Sequence, residues 1–378
     1  MNSLLRTGVV AFAFGVAAPI PVMAHDPPRS GAHASSEAHE GQPASHDEAH
    51  GQEEGPDTEH LFGFTTGTDV LEKGHFEAES EAEGGFGKRF GRYHAYGLRN
   101  AFKVAPLEGV TVELGATANR FSIHNVPGLD NRSFTGFGGL DAEIRWQLLK
   151  RDPSPFGLTL LAEPHMGFLE EDAGVRGRSH GLETRLLLDT ALIPNQLYAG
   201  FNAIYEMDKF RPRGVRLFGS EGEELDFPLA ACVARTPKVA AAPAPADPEA
   251  GGEDAGGGTE AAGGEESREP CTAFARRKSA EHTSRAGVSG ALAFQAFPNV
   301  FLGAEVRYLR AYEGLALQHF RGEAVFVGPT LYAKLSEHFT ISAAYSAQVS
   351  GHAVGVPGQL DLDNFSRHQA RLVVIYEF

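Results

Sequence analysis

The feature that most constrains this chain is a series of twelve segments, each about a dozen residues long, in which apolar and polar side chains alternate. Around Trp146, for example, the even positions are apolar and the odd positions are charged or polar. Such alternation predicts β-strands with one apolar and one polar face, and this length is enough to cross a membrane at a tilt. The predicted strands are 73–86, 91–104, 109–121, 134–149, 156–168, 179–192, 196–208, 284–297, 299–311, 321–335, 338–350 and 366–378.

The links between these segments alternate in length as well. Links after the even-numbered strands are short, and links after the odd-numbered strands are longer, except at the first hairpin near Gly87. This asymmetry is typical of outer-membrane barrels, whose periplasmic turns are short, and a soluble sandwich gives no reason for it. The sequence therefore predicts an all-β fold: an antiparallel up-and-down transmembrane β-barrel of about 12 strands, with both termini in the periplasm.

The last strand, 366–378, ends the chain on an aromatic residue. Tyr376 and Phe378 form a C-terminal pattern similar to the signal that the outer-membrane assembly machinery reads in bacterial barrels. A free edge strand of this kind would be prone to aggregation in a soluble protein, which is the alternative interpretation. We expect the strand to pair with the first strand and to place Phe378 in an aromatic girdle.

The N-terminus predicts export followed by a flexible arm. Residues 1–24 combine Arg6, an apolar run of small residues and a small-residue cleavage site before His25, as in a signal peptide. Residues 25–60 are acidic and poor in large apolar side chains, so we expect a disordered arm before a barrel that spans 61–378. Its histidines could bind Zn, Cu or Ni, or the arm could be a solvated linker; they are His25, His33, His39, His46, His50 and His60.

A second acidic stretch lies within the long link 209–283, which we predict to be an extracellular loop. Cys232 and Cys271 flank it, and an exported chain favours a disulfide between them, although free thiols or separate partners are alternatives. The two low-complexity stretches, 25–60 and 236–270, carry most of the formal net charge of −16. The barrel itself is nearly neutral, and no basic tract indicates nucleic-acid binding.

The segment from His60 to about Glu83 reads HLFGFTTGTDVLEKGHFEAESEAE. This opening resembles that of a family of proteobacterial outer-membrane proteins of uncharacterised function. The resemblance implies an outer-membrane β-barrel, and it implies no substrate.

Charged residues occupy the face of the strands that we assign to the lumen. They could fill a narrow interior by pairing across strands, or they could line a water-filled path and select solutes by charge. The first strand contributes a row of glutamates, which we expect to lie beside cations of the second and last strands. The candidate lumen residues are Glu77, Glu79, Glu81, Glu83, Arg99, Lys103, Glu143, Arg145, Glu183, Arg185, Glu305, Arg307 and Arg371.

These observations favour a porin-like channel that passes small solutes, with outer-membrane lipid and the assembly machinery as partners. The alternatives are an envelope protein that binds transition metal through the His-rich arm and a structural barrel without transport. No phosphate-binding loop or CxxC spacing occurs, and we do not expect an enzyme.

Overall fold

The computed structural model describes residues 55–213, 215–218, 224–225, 274–277 and 280–378. The predicted signal peptide, the arm up to residue 54 and both cysteines lie outside these ranges. Predictions that concern them therefore stay predictions.

Twelve antiparallel strands form one closed barrel. Three further short strands form a separate sheet in the order β10-β8-β9. The strands are β1 (Phe76–Phe86), β2 (Arg92–Leu107), β3 (Val110–His124), β4 (Arg132–Leu149), β5 (Gly157–Leu169), β6 (Arg176–Ile193), β7 (Leu197–Pro212), β8 (Val215–Phe218), β9 (Glu224–Leu225), β10 (Phe274–Arg277), β11 (Glu281–Phe297), β12 (Val300–Glu313), β13 (His319–Lys334), β14 (Phe339–Ala353) and β15 (His368–Glu377). Around the barrel the order is β1-β15-β14-β13-β12-β11-β7-β6-β5-β4-β3-β2, and β2 pairs with β1 to close it.

The predicted number of barrel strands is confirmed, but several strands are longer than predicted. The chain reverses mostly by short turns at one end of the barrel, the short-turn end, and mostly by longer links at the other, the long-loop end. Most of the extra length lies at the long-loop end: β7 continues to Pro212 instead of residue 208, and β11 begins at Glu281 instead of residue 284. Hydrogen bonding between neighbours satisfies the backbone as well beyond the apolar band as within it, so the ladder continues where side-chain alternation weakens.

The outer face of the barrel is apolar and the inner face is polar. Leu114 and Trp146 point outward, with exposed fractions of 64% and 56%, whereas Thr111 and Glu113 are buried inside. Large apolar side chains on the outside and charges on the inside reverse the pattern of a soluble protein and fit a lipid-facing surface. Among the described residues, no helix has the length and apolar character needed to cross a membrane.

The last strand closes the barrel against the first, as predicted. In the β1–β15 ladder, Glu83 lies opposite Arg371, and the Arg371 Nε donates to Glu81 Oε1 at 2.6 Å. At the short-turn end, the rings of Tyr376 and Phe378 lie 5.1 Å apart on the outer face, and Phe378 also meets Phe102. The predicted aromatic side chains are therefore present where β15 meets β1, while their recognition by the outer-membrane assembly machinery stays a prediction.

The chain before β1 folds into the barrel. We call residues 57–71 the plug, and every residue from Thr58 to Thr68 is buried. A backbone hydrogen bond from Gly67 N to Glu59 O joins the two halves of the plug. The predicted arm boundary at residue 60 is therefore wrong, because Glu59 and His60 already have buried partners on the barrel wall.

Candidate functional site

The apolar part of the plug packs into an aromatic cluster inside the lumen. Leu61 and Phe62, which are 1% and 0% exposed, contact a cluster formed by Tyr198, Phe301 and Tyr332. The ring of Phe301 lies 5.9 Å from Tyr198 and 6.0 Å from Tyr332. Sequence analysis missed this site, although a signal exists: these aromatic residues occupy lumen-facing positions that are otherwise polar.

Side chains of the wall hydrogen-bond the plug backbone. Glu305 Oε2 accepts hydrogen bonds from the backbone N–H groups of Phe64, at 3.1 Å, and Thr65, at 3.0 Å. Asn202 exchanges two bonds with Thr66: its Oδ1 accepts from the N–H at 2.8 Å, and its Nδ2 donates to the carbonyl at 2.7 Å. Buried backbone groups need such partners, so these contacts fix one position of the plug in the lumen.

A second polar group fixes both ends of the plug at the short-turn end. The carboxylate of Asp189 accepts from Thr58 Oγ1 at 2.5 Å and from Thr68 N at 2.8 Å. Arg151 donates to the same Asp189 at 2.8 Å and to Asp69 at 2.9 Å. The arginine therefore bridges the barrel wall and the chain that leaves the plug toward β1.

Lys103 on β2 lies at the centre of a buried cage of carboxylates, which we call the Lys103 cage. Its Nζ lies 2.5 Å from Glu59, 2.7 Å from Glu79, 2.9 Å from Glu77 and 3.5 Å from Glu113. Lys103 is 1% exposed. Among these four carboxylates only Glu59 belongs to the plug, so this residue ties the plug to the charges of the wall.

The cage controls the ionisation of the plug residues. Burial by itself would raise the pKa of Glu59, but Arg145 and Lys103 hold that pKa well below its ordinary value. Burial and Lys103 lower the pKa of His60, whereas Glu79 and Glu59 raise it, and the net shift is upward. Glu59 is thus stabilised as a carboxylate, the form that attracts Lys103 and Arg145.

Glu59, His60 and Glu79 could together offer three ligand atoms to a metal, since those atoms lie within 4.8 Å of one another. However, the Lys103 Nζ lies 3.1 Å from His60 Nε2 and closer still to both carboxylates. The ammonium group therefore takes the position that a metal cation would need. The prediction that His60 lies on a flexible arm is wrong, because this side chain is 4% exposed inside the lumen. Metal binding by the other histidines of the arm stays a prediction.

Between the plug and the long-loop end lies a cavity of about 470 Å³. Its floor includes Phe64, whose ring lies 3.8 Å from the guanidinium of Arg307. Near the opposite end, Tyr93, Asp172 and Phe365 line it, and the Tyr93 hydroxyl donates to the Asp172 carbonyl at 2.8 Å. The lumen is thus filled by the plug at the short-turn end and hollow above it.

The predicted lumen residues all face the interior. Eleven of them line the cavity, and the other two, Glu77 and Glu305, contact Lys103 and the plug respectively. Most form ion pairs across or along strands, such as Arg185 with Glu183 and Arg371 with Glu81. The charged side chains therefore both pair with one another and line a cavity, and the plug fills the lumen at the short-turn end of that cavity.

A closed barrel with an apolar outer face and a charged, plugged lumen defines a transmembrane β-barrel of the outer-membrane type. The chain belongs to a family of unknown function, DUF6662, which it matches over residues 55–228 and 259–378. None of the curated proteins matches the sequence.

Solved structures with the same kind of fold are only distantly similar. An outer-membrane channel of the COG4313 group from Pseudomonas putida F1 has a TM-score of 0.45 and 8% identity, covering 82% of this chain and 98% of that one. The β-domain of the Bordetella autotransporter BrkA has a TM-score of 0.45 and 13% identity, covering 81% and 100%. The NanC porin has a TM-score of 0.37 and 11% identity, covering 80% and 100%.

Proposed function

We propose that this protein is an outer-membrane channel for small solutes that its own N-terminal segment holds closed. One observation carries the proposal: a plug from the same chain fills one end of a charged lumen and leaves a hollow chamber behind it. A barrel with a purely structural role would need neither a polar chamber nor a separate closing segment. Displacement of the plug would join the chamber to the short-turn end.

The nature of the plug contacts supports displacement. Apart from the cluster around Phe62, the plug is held mainly by hydrogen bonds and ion pairs, which water can replace once the segment moves out. The plug is also continuous with residue 55, so the chain before it could pull on it directly. We place both termini in the periplasm, because the short turns lie at the end where β15 finishes. We expect the signal peptide to be removed on export.

The test is a disulfide that reversibly cross-links the plug to the barrel wall. Thr65 Oγ1 donates to Ser289 Oγ at 2.9 Å, so two cysteines at these positions would lie close enough for a disulfide. The variant Thr65→Cys/Ser289→Cys is made in a background with Cys232→Ser and Cys271→Ser. Conductance is recorded in planar bilayers, with each single cysteine as the matched control.

We expect openings in the background, loss of openings in the oxidised double variant and recovery after reduction. Openings that persist in the oxidised variant would contradict plug displacement. A folded barrel that conducts neither intact nor after deletion of residues 57–71 would contradict channel function and favour the structural role.

A further inference from the structure

The cations that line the cavity are all neutralised by carboxylates of the protein. Each of the seven arginine and lysine side chains has at least one carboxylate partner. Arg285, for example, pairs with both Asp172 and Glu206. An anionic solute would therefore find every arginine and lysine of the described cavity wall already paired with a carboxylate.

The acidic side chains of the cavity outnumber the cations. Twelve carboxylates line it against seven arginine and lysine side chains and two histidines, His60 and His165. Nine of the twelve have a cationic partner, and three have none within the described part of the chain: Glu83, Glu163 and Glu171. Glu83 and Glu171 are exposed to the lumen rather than packed in protein. The chamber thus holds acidic side chains that have no cationic partner among the described residues.

We propose that the cavity takes small organic cations with two or more separated amino groups; this inference rests on the proposed channel function. The three carboxylates come from β1, from β5 and from the link after β5, and three strands lie between β1 and β5 in the barrel, so the carboxylates are separated across the chamber. They do not form a group compact enough for one metal ion: among the described residues the only such group is Glu59, His60 and Glu79. An extended polyamine can reach separated carboxylates, and each ammonium group can form charge-assisted hydrogen bonds with them.

The first experiment measures binding without requiring the channel to open. Spermidine is titrated into the purified full-length protein by calorimetry at low salt, where screening is weak. The test variant is Glu83→Gln/Glu163→Gln/Glu171→Gln. The control removes the same number of charges from exposed sites outside the cavity: Glu281→Gln, Glu313→Gln and Glu337→Gln.

We expect the cavity variant to bind spermidine at least about tenfold more weakly than the wild type and the control to bind it as the wild type does. Circular dichroism and heat-modifiable gel mobility establish that both variants are folded. Equal affinity in the two triple variants, or no binding by the wild type, would overturn the inference. So would magnesium binding as tightly as spermidine.

The second experiment separates this inference from the channel proposal. Zero-current potentials are recorded across a KCl gradient, and we expect the sign that marks preference for potassium, weakened in the cavity variant. Preference for chloride would overturn the inference while leaving channel function intact. If no variant conducts but spermidine binding depends on the three carboxylates, channel function fails and the cation site stands.

Discussion

Replacement of Lys103 should release the plug, because this one ammonium group neutralises several buried carboxylates at once. In a Lys103→Met variant the apolar stem is retained and the charge is lost. Glu59, Glu77 and Glu79 then face one another without the cation that lies within 2.9 Å of each in the wild type. Among the three, only Glu59 can leave the cage, by leaving with the plug.

The size of the effect follows from the cost of an uncompensated buried charge. Removing one partner of a buried ion pair costs about 3–5 kcal/mol. The wall carboxylates lose their partner whether or not the plug is seated, so we assign roughly half of this, about 2 kcal/mol, to seating of the plug. At about 1.4 kcal/mol per factor of ten, the population with a displaced plug should rise about 30-fold.

Thiol labelling measures this population. The reporter is a Thr65→Cys variant in the background without Cys232 and Cys271. Because Thr65 is 0% exposed, this cysteine should react with maleimide only after the plug is displaced. We expect labelling about 30-fold faster with Lys103→Met. The matched control is Lys150→Met, since Lys150 is an exposed lysine that pairs with Glu108 at a turn.

A further substitution identifies the cause. Adding Glu59→Gln to Lys103→Met removes the one carboxylate that the plug contributes to the Lys103 cage, so part of the wild-type protection should return. The reasoning is refuted if Lys103→Met leaves the labelling rate unchanged in a barrel that is still folded. It is also refuted if Glu59→Gln accelerates labelling further in the Lys103→Met background.

Two further predictions concern the same plug. Gly63 has a φ of 83°, and an added Cβ would lie 2.7 Å from Ala344 Cβ and 2.8 Å from Thr330 Cγ2. The Gly63→Ala variant should therefore be labelled about tenfold faster than the reporter alone. Gly74→Ala is the control for backbone strain alone, because Gly74 has a φ of 89° and open space around it. The pKa of Glu59 is lowered on seating, so its stabilising contribution is present above its ordinary value of 4.5 and is lost as the pH falls below that value. Open probability in bilayers should therefore rise in acid, and a Glu59→Gln variant should lack this dependence.

The barrel was predictable because its determinants are local and repeat along the chain. The alternation around Trp146 defines which side chains face outward, and the short turns define which strands are neighbours. The pairing of Arg371 with the glutamate row of β1 followed from closing such a sheet, and the structure confirms it. The strand ends were the less accurate part, mostly at the long-loop end, where pairing continues beyond the alternating pattern.

The plug was not predictable by the same means, because its contacts join residues far apart in sequence and follow no period. Glu59 meets Lys103, and the backbone of Thr65 meets Glu305, 240 residues further along the chain. By composition the segment before residue 60 looks like solvated linker, and its few apolar residues cannot form a core alone. A closed barrel provides the aromatic and charged partners that those residues lack locally.

The sequence by itself thus determined the wall of this protein: the number of strands, their order, the face that meets lipid and the charges that face inward. The tertiary structure alone decided what fills the lumen and which charged side chains stay unpaired. A strand encodes its two faces in its own alternation, whereas occupation of the lumen depends on whether a distant segment satisfies buried groups better than water does.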